Sequence, residues 1–442
     1  MATDREQADP LAAFRQFLAL ERDVLVLSVA MFAFSLGFQM TGRYMGRYLE
    51  FLGAGSLVIG LYGSLGNLIG AVYPYPGGAI SDRVGSRTAL TAFGLASTLG
   101  FLLWFLAPEF SLLPIPGWAW IFVGLLLAQA WKSFGLGATF AIVKQSVPPE
   151  ELATGFASTE TFRRTAFLLG PLIGAALLAV YEFEVGFRYV LAVAAGFGLV
   201  ATGAQYLLYD ASEDSFGKSF EGVRQVVSDL REMPGLLRPL LVGDTLVRFA
   251  NGMVYVFVVL VVTNVLEVSA TLPVVGYLGP EAFFGVLLAV EMAVALLVMI
   301  PVSKLARRFG LKPVVALGFV VYAVFPALLV NTPDGGRTVA GVAFSETALV
   351  TLLFGVSGLR FAGLPAHKAL IVGPAEENAG GRVVGSYYLA RNAVVIPSAA
   401  IGGWLYGLSP GGPQLAFGLA TVVGLVGTGY FLVFGKELPA YR

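Results

Sequence analysis

The feature that most constrains this chain is a series of apolar segments long enough to cross a lipid bilayer. A helix rises about 1.5 Å per residue and needs about 20 residues to cross about 30 Å of hydrocarbon. The chain is 57% hydrophobic and 13% charged, which is more apolar surface than a soluble domain can bury. Twelve spans are predicted, at residues 23–46, 56–80, 88–107, 118–143, 152–180, 188–208, 240–264, 282–302, 313–330, 343–372, 383–408 and 413–434. The sequence therefore predicts an all-α membrane protein with twelve transmembrane helices.

Polar segments divide these spans into two groups of six. The predicted regions are a cytoplasmic N-terminal segment (1–22), a six-helix bundle (23–208), a cytoplasmic linker (209–239), a second six-helix bundle (240–434) and a cytoplasmic tail (435–442). Within the linker, apolar residues such as Phe220, Val223 and Val227 recur at helical spacing among charges, which predicts an amphipathic helix on the membrane surface.

The distribution of basic residues orients the protein. About eighteen Lys and Arg residues lie in connections on the side that holds both termini and the linker, against about three on the other side, and the basic side of a membrane protein stays in the cytoplasm. We therefore predict a multi-pass protein of the plasma membrane with both termini cytoplasmic.

The two groups of spans repeat each other. Residues 81–87 and 306–312, which follow the second and eighth spans, match at an offset of 225. At an offset of 228, Lys132 aligns with Arg360 and Arg163 aligns with Arg391. Repeated six-span halves predict a pseudo-twofold transporter whose binding site lies between the halves, near the middle of the membrane.

The loop after the second span carries a family motif. Its residues Gly78, Asp82, Arg83, Gly85 and Arg87 resemble the loop motif of the major facilitator superfamily. The resemblance covers nearly the whole chain, and it implies two pseudo-symmetric six-helix bundles and transport by alternating access. It also implies that these five residues form a gating loop that stabilises one conformation. In the second copy Arg307 stands in place of the aspartate, so a symmetric second latch is not expected.

The spans contain an excess of basic residues. Ionisable groups inside a membrane usually face a partner or a wet cavity because their burial is costly. We predict that Lys132, Arg163, Arg360 and Arg391, at pseudo-symmetric positions, converge on a substrate with a carboxylate or phosphate group. Structural ion pairing without substrate contact and proton-coupling machinery alone are the two alternatives, and in the first of them Arg43 in the outer part of the first span could extend toward the membrane surface.

Two acidic residues in the spans are candidates for proton coupling, Glu291 and Asp244. Glu291 has no basic residue within one helical turn, and its alternative role is a cross-helix pair with Arg248 or Arg360. Asp244 lies four residues before Arg248 and can pair with it on the same helix. The single histidine, His367, is expected at the water interface beside Lys368.

Several classes of function are disfavoured by composition. The chain has no cysteine, one histidine and zero formal net charge, so we predict no metal site, no cofactor, no enzymatic activity and no nucleic-acid partner. We predict a monomeric secondary active transporter that binds a small solute and protons within the bilayer. The preferred substrate is a small organic or phosphorylated anion. The main alternative is proton-driven efflux of hydrophobic or cationic compounds, and a channel or lipid scramblase on the same fold is a further alternative.

Overall fold

A computed structural model describes residues 22–73, 80, 83–112, 114–132, 152–209, 233–339, 341–372 and 380–437. Three parts of the predictions lie outside these residues: the N-terminal segment before Arg22, most of the cytoplasmic linker, and two residues of the loop motif, Gly78 and Asp82.

The N-terminal half is built from helices, because apolar residues fill nearly every turn and a helix satisfies its own backbone hydrogen bonds. Its helices are α1 (Arg22–Thr41), α2 (Met45–Phe51), α3 (Ser56–Val72), α4 (Ser86–Leu106), α5 (Gly117–Ala130), α6 (Leu152–Val180) and α7 (Phe183–Leu208).

The C-terminal half follows the same plan with more interruptions. Its helices are α8 (Leu237–Val254), α9 (Pro280–Phe309), α10 (Leu311–Val330), α11 (Glu346–Ser357), α12 (Leu359–Ala362), α13 (Leu364–Val372), α14 (Gly380–Val395), α15 (Ser398–Tyr406) and α16 (Gly412–Phe434). Short helical turns cover 255–265 after α8. Two antiparallel hairpins join the spans, one from β1 (Ala270–Leu272) and β2 (Gly276–Leu278), the other from β3 (Arg337–Val339) and β4 (Val342–Phe344).

Each of the twelve predicted spans overlaps helical structure. By length and apolar composition, seven helices in the described part of the chain can cross a membrane, or eight if the pair bent by 49° at residues 42–44 is one span, and three shorter apolar helices accompany them. The predicted tenth span is divided at Gly358 and Gly363, and the eleventh is interrupted before Ser398 by Pro397. Proline lacks the N–H that would continue the helix, which explains the second break.

The halves meet along two helix pairs, α3 with α15 and α6 with α9. Small residues allow the first approach: a Cβ built on Gly60 would lie 3.0 Å from the Cα of Gly403, a spacing typical of tightly packed membrane helices. Further along α3, a Cβ built on Gly66 or Gly70 would have no neighbouring atom within 4 Å, and both glycines line a cavity. Among the described residues, α3 therefore packs closely on the other half at Gly60 and lines the cavity at Gly66 and Gly70.

Polar contacts join the halves at the opposite end of the molecule. The guanidinium of Arg47 in α2 lies 3.1 Å from a carboxylate oxygen of Glu281 in α9, and the Tyr44 hydroxyl donates to the backbone oxygen of Glu281 at 3.1 Å. Asn264 donates to Glu50 at 2.8 Å. This end, which the distribution of basic residues assigns to the outside, is closed by contacts between the halves.

Candidate functional site

Two adjacent cavities lie between the halves. The larger, called the central cavity, has a volume of about 400 Å³, and the smaller, called the side cavity, about 220 Å³. They share several lining residues from both halves, namely Gln39, Arg43, Arg248, Asn251 and Tyr255. This position agrees with the site predicted from the sequence repeat.

The lining of the central cavity is cationic. Arg43 and Lys132 come from the N-terminal half, and Arg248 and Arg391 come from the C-terminal half. No carboxylate is present among the described residues that line it. The Arg43 guanidinium lies 4.6 Å from the ring centroid of Tyr255, so this aromatic face stabilises the positive charge without neutralising it.

The side cavity contains a buried ion triad. Glu291 lies 2.6 Å from Arg360 and 3.8 Å from Arg43, measured between carboxylate oxygens and guanidinium nitrogens. The Ser357 hydroxyl also donates a hydrogen bond to the Glu291 carboxylate. The Nε atoms of both arginines are buried and make no hydrogen bond within the described residues. The triad thus combines one negative and two positive groups and leaves hydrogen-bond donors unused.

A second acidic cluster centres on Asp244, which is fully buried. Its carboxylate oxygens lie 3.3 Å from Nε of Arg248 and 3.1 Å from Nη1 of Arg391. The Tyr387 hydroxyl donates to Asp244 at 3.2 Å, and Nε2 of His367 lies 3.2 Å away. Asp244 thus contacts two arginines that line the central cavity: Arg248, the partner predicted on its own helix, and Arg391.

The predicted substrate residues are distributed over both cavities. Lys132 and Arg391 line the central cavity, and Arg360 lines the side cavity. Arg163 lies in α6, but its side chain is outside the described part of the structure. Glu291 forms a cross-helix pair with Arg360, one of the two partners considered for it.

The expectation for His367 was wrong, and the option considered for Arg43 is not what the structure shows. His367 is buried beside Asp244, whereas its neighbour Lys368 is exposed, because successive helical residues point about 100° apart. Arg43 does not extend to the surface: its side chain is only 10% exposed and contacts Glu291 and Tyr255. Glu291, whose carboxylate pairs with Arg43, lies 248 residues away in the sequence. A pattern of neighbouring residues therefore could not predict this pair.

The described residues of the predicted gating loop lie at the start of α4. Gly85 has a φ of +84°, which favours glycine, and its repeat counterpart Gly310 has a φ of +94°. Arg83 is exposed, and Arg87 donates from Nε to the backbone oxygen of Tyr206 at 2.8 Å. Gly78 and Asp82 lie outside the described residues, so the gating role stays a prediction.

No group of three or more metal-binding side chains occurs among the residues that the structure describes.

Comparison with known proteins identifies the family. The model of the Major Facilitator Superfamily matches residues 27–279, more than half of the chain. An uncharacterized MFS-type transporter of Methanocaldococcus jannaschii is 22% identical, with 94% of this chain and 95% of that protein covered. Multidrug resistance protein MdtH of Yersinia pestis is 25% identical, with 86% of each covered.

Solved structures share the fold. The nucleoside transporter NupG, as its D323A mutant, matches with a TM-score of 0.71 at 14% identity and covers 93% of this chain and 100% of that one. A POT family transporter in complex with 5-aminolevulinic acid matches with a TM-score of 0.69 at 15% identity, covering 95% and 99%. At these identities the likeness concerns the fold and not the substrate.

Proposed function

This chain belongs to the major facilitator superfamily and is a multi-pass membrane transporter, and we propose that it carries a small organic or phosphorylated anion by proton-coupled alternating access. The observation that supports this proposal most is the charge of the site. Arg43, Lys132, Arg248, Arg360 and Arg391 border the two cavities, while Asp244 and Glu291 are the carboxylates beside them among the described residues. Among the described residues at the two cavities, basic groups therefore outnumber carboxylates by three.

Such a surplus is costly within a membrane. Charged groups removed from water are destabilising unless partners compensate them. An anionic substrate would supply compensating charge, and arginine guanidinium groups bind carboxylates and phosphates with paired hydrogen bonds. The Nε donors of Arg43 and Arg360, which are buried without a hydrogen-bond partner among the described residues, add to this cost.

Glu291 is the proposed proton carrier. In its charged form it occupies Arg43 and Arg360, the groups that a substrate anion would contact. Protonation would remove the competing negative charge and release both arginines. Binding of the substrate and binding of the proton would then favour each other, as symport requires. Asp244 is the second candidate, and it acts on Arg248 and Arg391 in the same way.

Alternating access is supported by the unequal ends of the interface between the halves. The end with Arg47 and Glu281 is closed, whereas Gly66 and Gly70 line the cavity toward the other end. We assign the open end to the cytoplasm, with both termini and the 209–239 linker on that side, the bundles at 23–208 and 240–434, and the plasma membrane as location. The loop at 78–87 would stabilise one state, Arg163 would contribute to the substrate site, and the transporter would act as a monomer.

A second candidate function is proton-driven efflux of hydrophobic or cationic compounds. It is favoured by the 25% identity to a multidrug resistance protein. In that case Glu291 or Asp244 would bind the cationic substrate, and Glu291→Gln or Asp244→Asn would abolish its recognition, with the basic residues less important.

The test is the thermal stability of the purified full-length protein with organic anions, phosphates, sugars and lipophilic cations. A ligand at 100 times its Kd stabilises by about 2.7 kcal/mol. The anion proposal predicts a shift with anions that is lost in Arg360→Ala and Lys132→Ala but kept in the matched control Arg188→Ala, whose side chain pairs with Glu109 at the surface. A shift with lipophilic cations alone would refute the proposal and support efflux.

A further inference from the structure

Amide side chains surround the central cavity. Five of them line it, and they come from five different helices of both halves: Gln39 in α1, Asn67 in α3, Gln129 in α5, Asn251 in α8 and Asn392 in α14. Each is partly buried. We call this set the amide ring.

Much of the hydrogen-bonding capacity of the amide ring is unused. The side chains of Gln39, Gln129 and Asn251 make no hydrogen bond to any other residue that the structure describes. Asn67 uses only its NH₂ group, which donates to the backbone oxygen of Val395 at 3.3 Å. Asn392 uses its oxygen, which accepts from Arg391 at 2.9 Å.

Polar amides inside a membrane protein are unfavourable without partners. They therefore indicate a ligand or water in the cavity. The chemistry of the ring selects among ligands. A carboxylate or phosphate oxygen only accepts hydrogen bonds, and the cations already provide donors for it. The amide oxygens of Gln39, Gln129 and Asn251 need donors, and an amide presents a donor and an acceptor side by side. A hydroxyl group matches such a pair because it donates and accepts at once.

Cavity size supports a ligand with several hydroxyl groups. The central cavity, at about 400 Å³, falls within the range of about 300–1,000 Å³ typical of small-molecule sites. That volume accommodates a six-carbon sugar derivative. Apolar and aromatic side chains complete the wall, among them Phe38, whose ring centroid lies 5.6 Å from the Lys132 ammonium nitrogen.

We propose that the substrate is a polyhydroxylated anion, such as a sugar phosphate or a sugar acid, whose hydroxyl groups bind the amide ring while its anionic group binds the cavity cations. This inference rests on the proposed anion function and names its substrate class. Gln39, Gln129 and Asn251 are then the residues that determine specificity. A site built to hydrogen-bond substrate hydroxyls rejects analogues that lack them by factors of about 10⁴ at best. For partly hydrated amides we expect about 100-fold.

The experiment compares four probes on the purified full-length protein by calorimetric titration. Glucose 6-phosphate and gluconate carry hydroxyl groups, and cyclohexylmethyl phosphate and hexanoate are counterparts of similar size without them. The expected result is about 100-fold tighter binding of at least one hydroxylated probe than of its counterpart. Comparison of the two hydroxylated probes then distinguishes a phosphate from a carboxylate substrate.

Variants assign the preference to the ring. Gln129→Leu and Asn251→Leu should each reduce the hydroxyl preference, measured as the ratio of the two affinities, about tenfold. A cooperative thermal unfolding transition like that of the original protein shows that each variant is folded. The matched control is Asn331→Leu, an exposed amide that bonds to its own helix, and it should keep the preference.

Each other outcome counts against a different claim. Equal binding of hydroxylated and plain anions would overturn this inference and leave the anion function intact. An unchanged preference in both ring variants would overturn the assignment to the amide ring. Binding of none of the four probes would overturn the inference and count against the anion function as well.

Discussion

Replacement of Arg360 by methionine tests the buried ion triad directly. Arg360 and Glu291 lie 2.6 Å apart with side chains only 5% and 4% exposed. Removal of one partner from a buried pair costs about 3–5 kcal/mol, because the other charge stays buried without compensation. Arg43, at 3.8 Å, and the Ser357 hydroxyl still contact Glu291. We therefore expect a loss near the lower limit, about 3 kcal/mol in the free energy of unfolding.

The double variant Arg360→Met with Glu291→Gln removes both charges. Loss of Glu291 also removes the carboxylate that Arg43 contacts at 3.8 Å, so the coupling of Arg360 with Glu291 is measured by a double-mutant cycle that includes the single variant Glu291→Gln. We expect a coupling energy of about 2 kcal/mol, within the range of about 0.5–3 kcal/mol for residues in contact.

The assay is reversible denaturant unfolding in mixed micelles, followed by circular dichroism. The matched control is Arg188→Met, since Arg188 and Glu109 are paired at 3.0 Å but are 29% and 56% exposed. An exposed pair contributes between about 0 and 1 kcal/mol. If Arg360→Met unfolds like this control, or if the cycle gives no coupling energy, the argument for a buried triad is wrong.

Further predictions concern transport and the interface between the halves. Glu291→Gln should keep anion binding but lose accumulation driven by a pH gradient in proteoliposomes; unchanged accumulation would exclude Glu291 as the proton carrier. Lys132→Ala should weaken anion binding about tenfold or more, measured by titration, because a charge-assisted hydrogen bond is lost; unchanged affinity would contradict its role. The chain has no cysteine, so Asn67→Cys alone reports access to the central cavity. It should react with an impermeant maleimide from the cytoplasmic side, and the added Glu281→Gln should permit reaction from outside; no added reaction would mean that the polar contacts do not close that end. Gly60→Leu places a side chain where even a Cβ would lie 3.0 Å from the backbone of Gly403, so it should lower the free energy of unfolding by about 1–3 kcal/mol; a value equal to the original would disprove tight packing there.

The arrangement of spans could be predicted from sequence because membrane insertion depends on local composition. A run of apolar residues predicts a helix wherever it lies, and the loop repeat at an offset of 225 recurs in the structure as matching positive φ angles at Gly85 and Gly310. Breaks within spans were harder to locate. The divisions at Gly358 and Gly363 were not predicted, because isolated glycines are also common inside continuous membrane helices.

Which side of each helix faces the protein interior could not be predicted from the spacing of its apolar residues. A soluble helix reveals its inner face by an apolar stripe, but a membrane helix is apolar on its lipid side and only partly polar on its inner side. His367 and Lys368 illustrate the difficulty: both are polar neighbours, yet one is buried against Asp244 and the other is exposed. Partners distant in sequence, such as Arg43 and Glu291, need the packed structure to be found.

The repeat also explains where the two parts of the proposed mechanism reside. Lys132 and Arg360 are equivalent in sequence, but they border different cavities. The cause is Glu291, which holds Arg360 at the side cavity, whereas its counterpart at an offset of 225 is Gly66. The N-terminal half supplies cations to the cavities, and both carboxylates come from the C-terminal half. Proton binding to Glu291 would release one arginine of each half, Arg43 and Arg360. The anion would compensate positive charge from both halves, so a bound substrate would draw the two halves together through the same groups that the proton releases.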